Sequence, residues 1–182
     1  MDAFSDPEIE EIIVWTSAQV GKTTIIENVI GYFIEQDPSP MLIVQPTLDV
    51  AKSFSKDRLA PMLRDTPCLR EKVRDVGSRD PDNTTLHKIF HGGHITMAGA
   101  NSAASLGGRP IRIVLKDEVD RYPASAGTEG DPGGLADKRT TAFWNRKKAS
   151  FSTGTIKGLS RIEKAYEISD MRKFFLPCPH CR

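Results

Sequence analysis

The stretch TSAQVGKTT, Thr16–Thr24, nearly spells the phosphate-binding loop G-x-x-x-x-G-K-[ST], and its reading decides the fold. Gly21, Lys22 and Thr23 fill the last three slots. The first slot, normally glycine, holds Thr16, followed by Ser17, Ala18, Gln19 and Val20. Upstream, EEIIVWTS (Glu10–Ser17) is a β-branched run that reads as a buried strand. Downstream, Ile25, Ile26, Val29, Ile30 and Phe33 recur at helical spacing until Asp37-Pro38-Ser39-Pro40 ends the helix. Strand, loop and helix in that order are what the chemistry needs. Backbone amides at a helix N-terminus, with the positive end of its dipole, hold phosphate oxygens. Lys22 then reaches the β- and γ-phosphates of ATP, Thr23 ligates Mg2+, and Gly21 lets the backbone approach closely. The absent first glycine bears on the strand-to-loop turn more than on phosphate contact. A chance occurrence of the short string G-K-T is the alternative.

Further along, MLIVQP (Met41–Pro46) reads as a second strand. Thr47 caps a helix through LDVAKSFSKDRLAPML, with Val50, Phe54 and Leu59 facing inward and Pro61 kinking or ending it. Residues 64–85 read as a polar surface excursion. LHKIF, GHITMAGA and IRIVLKDE read as three more strands, the first two joined at His91-Gly92-Gly93. The Gly/Pro-rich stretch 123–134 reads as a mobile loop. A helix around LADKRTTAFWNR, a strand KKASFSTGT and a last helix SRIEKAYEISD follow, with Ser160 and Glu163 forming a capping box. Alternating strands and helices imply an α/β fold with a mostly parallel, covered sheet, whose ligands bind at the carboxyl ends of the strands.

IRIVLKDEVDRYP supplies a second chemical element. An apolar strand ending in Asp117-Glu118 matches the Walker B arrangement, in which Asp117 holds Mg2+ and Glu118 orients or deprotonates the attacking water. The chain length between Lys22 and Asp117 lets this strand return beside the first. Lys116 is out of place in a buried apolar slot, so it turns outward at the strand end or marks an edge position. A solvated strand end is the plainer reading of the acidic pair.

The 182 residues fit one domain with a real core, and 38% hydrophobic with 27% charged residues is ordinary for a globular protein. No apolar run approaches the ~18 residues that span a bilayer, and no signal peptide opens the chain. A net charge of +1 points to no particular partner, although a local basic stripe for nucleic acid can hide within it. Three cysteines, Cys68, Cys178 and Cys181, argue against a disulfide framework and for a reducing compartment. Cys178 and Cys181 form a C-x-x-C that is half of a zinc site, as though the sequence stops within a metal module; two free thiols are the alternative. His87, His91 and His94 lack ligand spacing and read as strand or turn residues; His180 lies inside the C-x-x-C.

In combination, several segments resemble the lambda-like (GpA) branch of the phage terminase large subunit, N-terminal ATPase domain. They are SAQVGKT (17–23), VQPTLDVAKSFSKDRLAPML (44–63), FHGGHITMAGANSAASLGGRPIRIVLKDEVDRYP (90–123), GDPGGLADKRTTAF (130–143), STGTIKGLSRIEKAYEISDMR (152–172) and PCPHC (177–181). The resemblance implies a P-loop NTPase of the RecA/ASCE-like kind, a mostly parallel sheet with helices on both faces. It implies ATP and Mg2+ as cofactors, with Zn2+ in a full-length protein. The expected activity is ATP hydrolysis coupled to translocation of double-stranded DNA into a procapsid. Expected partners are the terminase small subunit and the portal protein, in a homo-oligomeric ring in the host cell cytoplasm, away from membranes. Residues 1–176 would form the motor and 177–182 begin a truncated knuckle, with the nuclease and a region enclosing the adenine absent.

The resemblance also assigns residues. Thr16–Thr24 would bind nucleotide, with Gln19 touching base or phosphate. Ser152-Thr153-Gly154-Thr155 matches the coupling segment, Gly154 standing where proline is usual and loosening the turn. Ala18 occupies a slot where related motors carry an arginine, which leaves Arg109, Arg121 and Arg139 as arginine-finger candidates from this chain or a neighbouring subunit. Candidates for gripping DNA phosphates are Lys52, Lys56 and Arg58, plus Lys138, Arg139, Arg146, Lys147 and Lys148; the lack of interleaved aromatics fits duplex rather than single strands. Thr16, Lys116 and Gly154, which depart from the pattern, support an alternative: a non-hydrolysing, degenerate assembly or DNA-binding module of a decayed prophage. A helicase-like DNA translocase is a third reading, for which the chain is too short to hold the second RecA-like domain.

Overall fold

The computed structural model describes residues 1–73, 83–175, 177 and 180. Along the chain run α1 (Asp2–Ser5), β1 (Glu11–Trp15), α2 (Lys22–Glu35), β2 (Met41–Gln45), α3 (Leu48–Phe54) and, past a π-helical turn at Ser55–Leu59, α4 (Ala60–Asp65). Then come α5 (Pro67–Arg70), β3 (His87–Phe90), β4 (Gly93–Gly99), α6 (Ala103–Leu106), β5 (Ile113–Asp117), α7 (Pro132–Asp137), β6 (Lys147–Ser152) and α8 (Arg161–Glu167).

The strand order is β1-β6-β5-β2-β4-β3, parallel throughout except for the β3–β4 hairpin. In β2 every residue is buried, because the period of two sends Met41 and Ile43 into one core and Leu42 and Val44 into another. The first core packs Ile26, Val29, Ile30 and Phe33 of α2 with Phe54, Leu59 and Leu63 against one sheet face. The second packs Leu106, Ala136 and Ile162, from α6, α7 and α8, against the other. This is the expected P-loop α/β fold, helices on both faces.

Several expectations need correction. β5 does not return beside β1; β6 lies between them, so the loop strand and the acidic strand are two positions apart. β1 is an edge strand, and Glu11 and Trp15 are exposed rather than buried. Lys116 is neither at an edge nor turned outward. It lies in a central strand, 5% exposed, and its ammonium donates to both carboxylate oxygens of Asp137 at 2.9 and 2.8 Å. Asp137 at the end of α7 therefore makes a lysine tolerable in the second core.

Val50 faces solvent, and Ala51 takes the inward place beside Phe54 and Leu59. Pro61 neither ends nor sharply breaks the helix: the π turn directly before it, with Ala60 N–H bonded to Ser55 O, changes the hydrogen-bond register where proline has no N–H to give. The helix expected around LADKRTTAFWNR stops early, with a 3-10 turn at Lys138–Thr140, where the Thr140 and Thr141 hydroxyls bond back to the Asp137 and Lys138 carbonyls. The 123–134 stretch is tied down: Ala126 is buried and donates to Gly130 O, and Asp131 both caps α7 and pairs with Arg161. Ser160 caps α8 through Glu163 N, but the Glu163 carboxylate reaches Gly158 N instead of closing the capping box. Of the 64–85 excursion, 74–82 lie outside the described residues, while α5 buries Leu69 against the first core.

Candidate functional site

The site forms where β1, β6 and β5 end. β1 leads into the loop, and Thr16 N donates to Ser152 O at 3.2 Å, so sheet pairing continues one residue past the strand. Thr16 thus extends the strand instead of turning it. The turning falls to Gln19 and Gly21, with φ of 58° and 92°. Gly21 is the N-cap of α2 in the left-handed region, which favours glycine, and no side chain caps the helix there. The first-turn amides of a 14-residue helix are thereby aimed at the loop. Residues 17–21 and Thr24 are exposed; Thr23 is half-buried.

Lys22 is buried, and its ammonium joins the three elements. It donates to Thr153 Oγ1 at 2.7 Å and to Ser17 O at 3.3 Å, and stands 3.6 Å from Glu118 Oε1. Glu118 follows β5 with φ 51° and ψ 51°, a left-handed conformation unusual for a residue with a side chain. Its second carboxylate oxygen is 3.8 Å from Arg121 Nε. Asp117 is buried and accepts from Gln45 Nε2 at 3.1 Å. Burial raises its pKa, helped by the charge of Glu118 and opposed by the Gln45 hydrogen bond. Thr23 hydroxyl and Asp117 carboxylate are hard oxygen donors, a set that suits Mg2+ completed by phosphate oxygens and water.

The expected coupling segment touches this centre directly. Thr153 holds Lys22, and buried Ser152 accepts from Asp120 N at 3.3 Å. A Cβ at Gly154 would stand 2.7 Å from Trp15 Nε1, so the position is kept bare by the indole packed on it.

Two residues at the site carry no motif signal strong enough to have been singled out. Gln45 ends β2 and orients Asp117. Asp120 accepts from Thr155 N and Oγ1, both at 3.0 Å, through one oxygen and from Ile162 N at 2.9 Å through the other. Burial opposes its charge, but the bonds from Ser160, Ile162 and Thr155 prevail and hold its pKa low. Asp120 clasps Thr155 and the start of α8 to the element bearing Glu118. The acid two places after Glu118 was the available clue.

Other predicted residues are elsewhere. Arg109 and Arg139 line a separate cavity beside α6, and only Arg121 is beside Glu118. Lys147 is not available for DNA: it is 2% exposed and donates to the carbonyls of Asp6 and Ile9. Arg146 and Lys148 both pair with Glu10, and Lys52 pairs with Asp49. Lys56, Arg58 and Lys138 are exposed. Cys178 and Cys181 lie outside the described residues.

Comparison with known proteins agrees with this geometry. The family model described as phage terminase large subunit gpA, ATPase domain, matches residues 1–182. The chain is 33% identical over its whole length to the terminase large subunit of Enterobacteria phage P21, and 31% identical to that of Escherichia phage lambda. It spans 28% of the length of each of these relatives. The solved structure of the Thermus phage P74-26 large terminase ATPase domain is similar in fold, with a TM-score of 0.56 at 14% identity, covering 82% of this chain and 62% of that one. The chain belongs to the gpA family of phage terminase large subunit ATPase domains.

Proposed function

We propose that this member of the terminase family binds Mg2+–ATP at the carboxyl edge of its sheet and hydrolyses it, as the motor that drives double-stranded DNA into a procapsid. The observation that carries this reading is the buried Lys22 ammonium shared between Thr153 and Glu118. A phosphate group entering the loop offers Lys22 a stronger, charged partner. Lys22 then leaves Thr153 and Glu118. Glu118, freed of its cation, orients the attacking water and accepts its proton, while Thr153 turns its hydroxyl to the γ-phosphate. The metal, held through Thr23 and Asp117, supplies charge neutralisation on the phosphate oxygens.

Asp120 passes the new position of Thr153–Thr155 to α8 through Ile162. In the assembled machine, in the host cytoplasm, the partners are duplex DNA, the small subunit, the portal protein and further copies of this chain in a ring. Arg121, or an arginine of the next copy, serves as the finger, and in a longer chain Zn2+ joins Cys178 and Cys181. The departures that favour a degenerate module have structural roles: Thr16 pairs with Ser152, Lys116 with Asp137, and Gly154 admits Trp15.

Equilibrium binding of Mg2+–ATP tests the site. Lys22→Ala should weaken it at least tenfold, about 1.4 kcal/mol, and Glu118→Gln should bind ATP and fail to turn it over. Tight binding indifferent to Lys22 overturns the site; Glu118→Gln turning over like the native protein overturns the mechanism.

A further inference from the structure

We propose that Trp15 is a positioning residue for hydrolysis: its indole leans on Gly154 and keeps the Thr153 hydroxyl facing the phosphate loop after Lys22 has let it go. The inference rests on the nucleotide reading above and adds to it the side chain that governs where Thr153 goes.

The segment Ser152–Thr155 is anchored at its two ends. Ser152 pairs with Trp15 in the sheet, and its hydroxyl accepts from Asp120 N. Thr155 gives both its N–H and its hydroxyl to Asp120. The two residues between are held differently. The Ser152 hydroxyl donates to Thr153 O at 3.1 Å, and Lys22 donates to the Thr153 hydroxyl at 2.7 Å. Gly154 is met by the indole. A Cβ there would stand 2.7, 3.2 and 3.4 Å from Nε1, Cε2 and Cζ2 of Trp15, so a whole ring edge lies against the glycine.

Once a phosphate draws Lys22 away, the Thr153 hydroxyl loses its short bond. It also has room to drift, because Trp15, Ser17, Thr153 and Thr155 line a cavity of about 610 Å³. Glycine at 154 adds backbone freedom to that drift. The indole opposes it on one side, since at this separation any closer approach of Gly154 is repulsive. Trp15 is in turn backed by Tyr166 of α8, with ring centroids 5.4 Å apart and planes at 68°, an edge-to-face pair. Tyr166 is itself tethered beyond the helix: its hydroxyl lies 2.8 Å from Met171 O and 3.2 Å from Arg172 O and donates to them. A run of direct contacts thus joins the turn after α8 to the segment that carries Thr153. The indole is partly exposed, so it shifts with Gly154 under load, and its surroundings change when the segment moves.

The chain has 2 tryptophans, and Trp144 is exposed, so Trp144→Phe leaves Trp15 as the one indole emitter. In that protein Mg2+ with the non-hydrolysable analogue AMP-PNP should change the Trp15 emission saturably, over the concentrations at which calorimetry shows binding. Trp15→Leu should keep nucleotide affinity and lower kcat roughly tenfold, the mark of a group that acts on the transition state and not on binding. Trp15→Phe, which keeps an aromatic edge, should recover most of the rate. Tyr166→Ala should resemble Trp15→Leu, while Tyr166→Phe keeps the ring behind the indole and should stay near the native rate. Absence of binding, or equal binding by Lys22→Ala, sinks the nucleotide site and this inference with it. Binding that leaves the Trp15 emission unmoved overturns this inference alone. So does a Trp15→Leu protein with native kcat, or one whose affinity falls as far as its kcat.

Discussion

At the amino ends of the central strands Arg112 grips Asp37 through bonds of 2.6 and 2.8 Å, and Lys147 is capped by two backbone carbonyls. At the carboxyl ends Lys22 stands 3.6 Å from Glu118, and Arg121 stands 3.8 Å away. Similar residue types meet at both ends of one sheet, yet the first set is closed by direct hydrogen bonds, whereas Lys22 and Arg121 are only within electrostatic reach of Glu118 and Lys22 gives its short bond to the neutral Thr153 hydroxyl. Closed pairs leave no donor to spare and resist rearrangement. Open ones leave their charges without a direct charged partner, so a phosphate need displace only the neutral hydrogen bonds from Lys22 to Thr153 and Ser17. The fold needs the first kind and the site needs the second.

The largest expected effect falls on a closed pair. Asp137→Ala leaves the Lys116 ammonium buried without its acceptor, which should cost about 3–5 kcal/mol in denaturant unfolding. Lys116→Met on top of it should recover most of that loss, because a well-packed apolar side chain replaces a buried pair at little cost. A loss below about 1 kcal/mol, as for a solvated surface pair, would break the distinction between closed and open pairs.

Asp120 tests the boundary between closed and open. Asp120→Ala removes the acceptor for Thr155 and Ile162 and should cost about 2–3 kcal/mol. Its sharper signature is kinetic: ATP affinity should hold while hydrolysis falls, since Lys22 and Thr23 stay in place and the coupling segment does not. A matching loss in affinity would mean that Asp120 shapes the loop itself. Asp120→Asn, which keeps one carbonyl acceptor, should recover part of the rate.

Gly154→Ala is the next step down. Its Cβ would press to 2.7 Å from Trp15 Nε1, an overpacking that costs about 1–3 kcal/mol in a closed core. Trp15 is 41% exposed and can yield, which puts the expectation near the lower end. The same change in a Trp15→Leu background should be close to neutral. Equal costs in both backgrounds would show that backbone conformation, and not the indole, demands glycine.

Much of this was legible in the sequence because it rests on periodicity and order. The loop, the helix behind it, and the strand ending in Asp117-Glu118 follow from residue types at fixed spacing. What was illegible depends on partners distant in the chain. Lys116 is intelligible only once Asp137, 21 residues on, is folded over it. Gly154 makes sense only against Trp15, since a residue kept small by a neighbour leaves no mark in its own segment. The insertion of β6 between β1 and β5 is a choice of strand order, which local pattern does not encode. The paired basic residues at Glu10 were read as free to bind DNA for the same reason.

Glu10 gives the smallest effect and the clearest sign. Its hydrogen bond to Arg146, then that to Lys148, lowers its pKa from an ordinary 4.5 to about 2. A carboxylate whose pKa is depressed by folding stabilises the folded state above its unfolded pKa and loses that contribution as pH falls toward the folded value. The stabilisation should therefore be whole at neutral pH and fade between about pH 4.5 and 2. The Glu10 side chain is 40% exposed, so solvent and salt screen the pairs and the change in unfolding midpoint should be slight. Carbon-detected titration of the carboxyl group reads it directly. Arg146→Gln with Lys148→Gln should return Glu10 toward its ordinary range, and a native Glu10 already titrating there would mean that these charges are as open as those around Glu118.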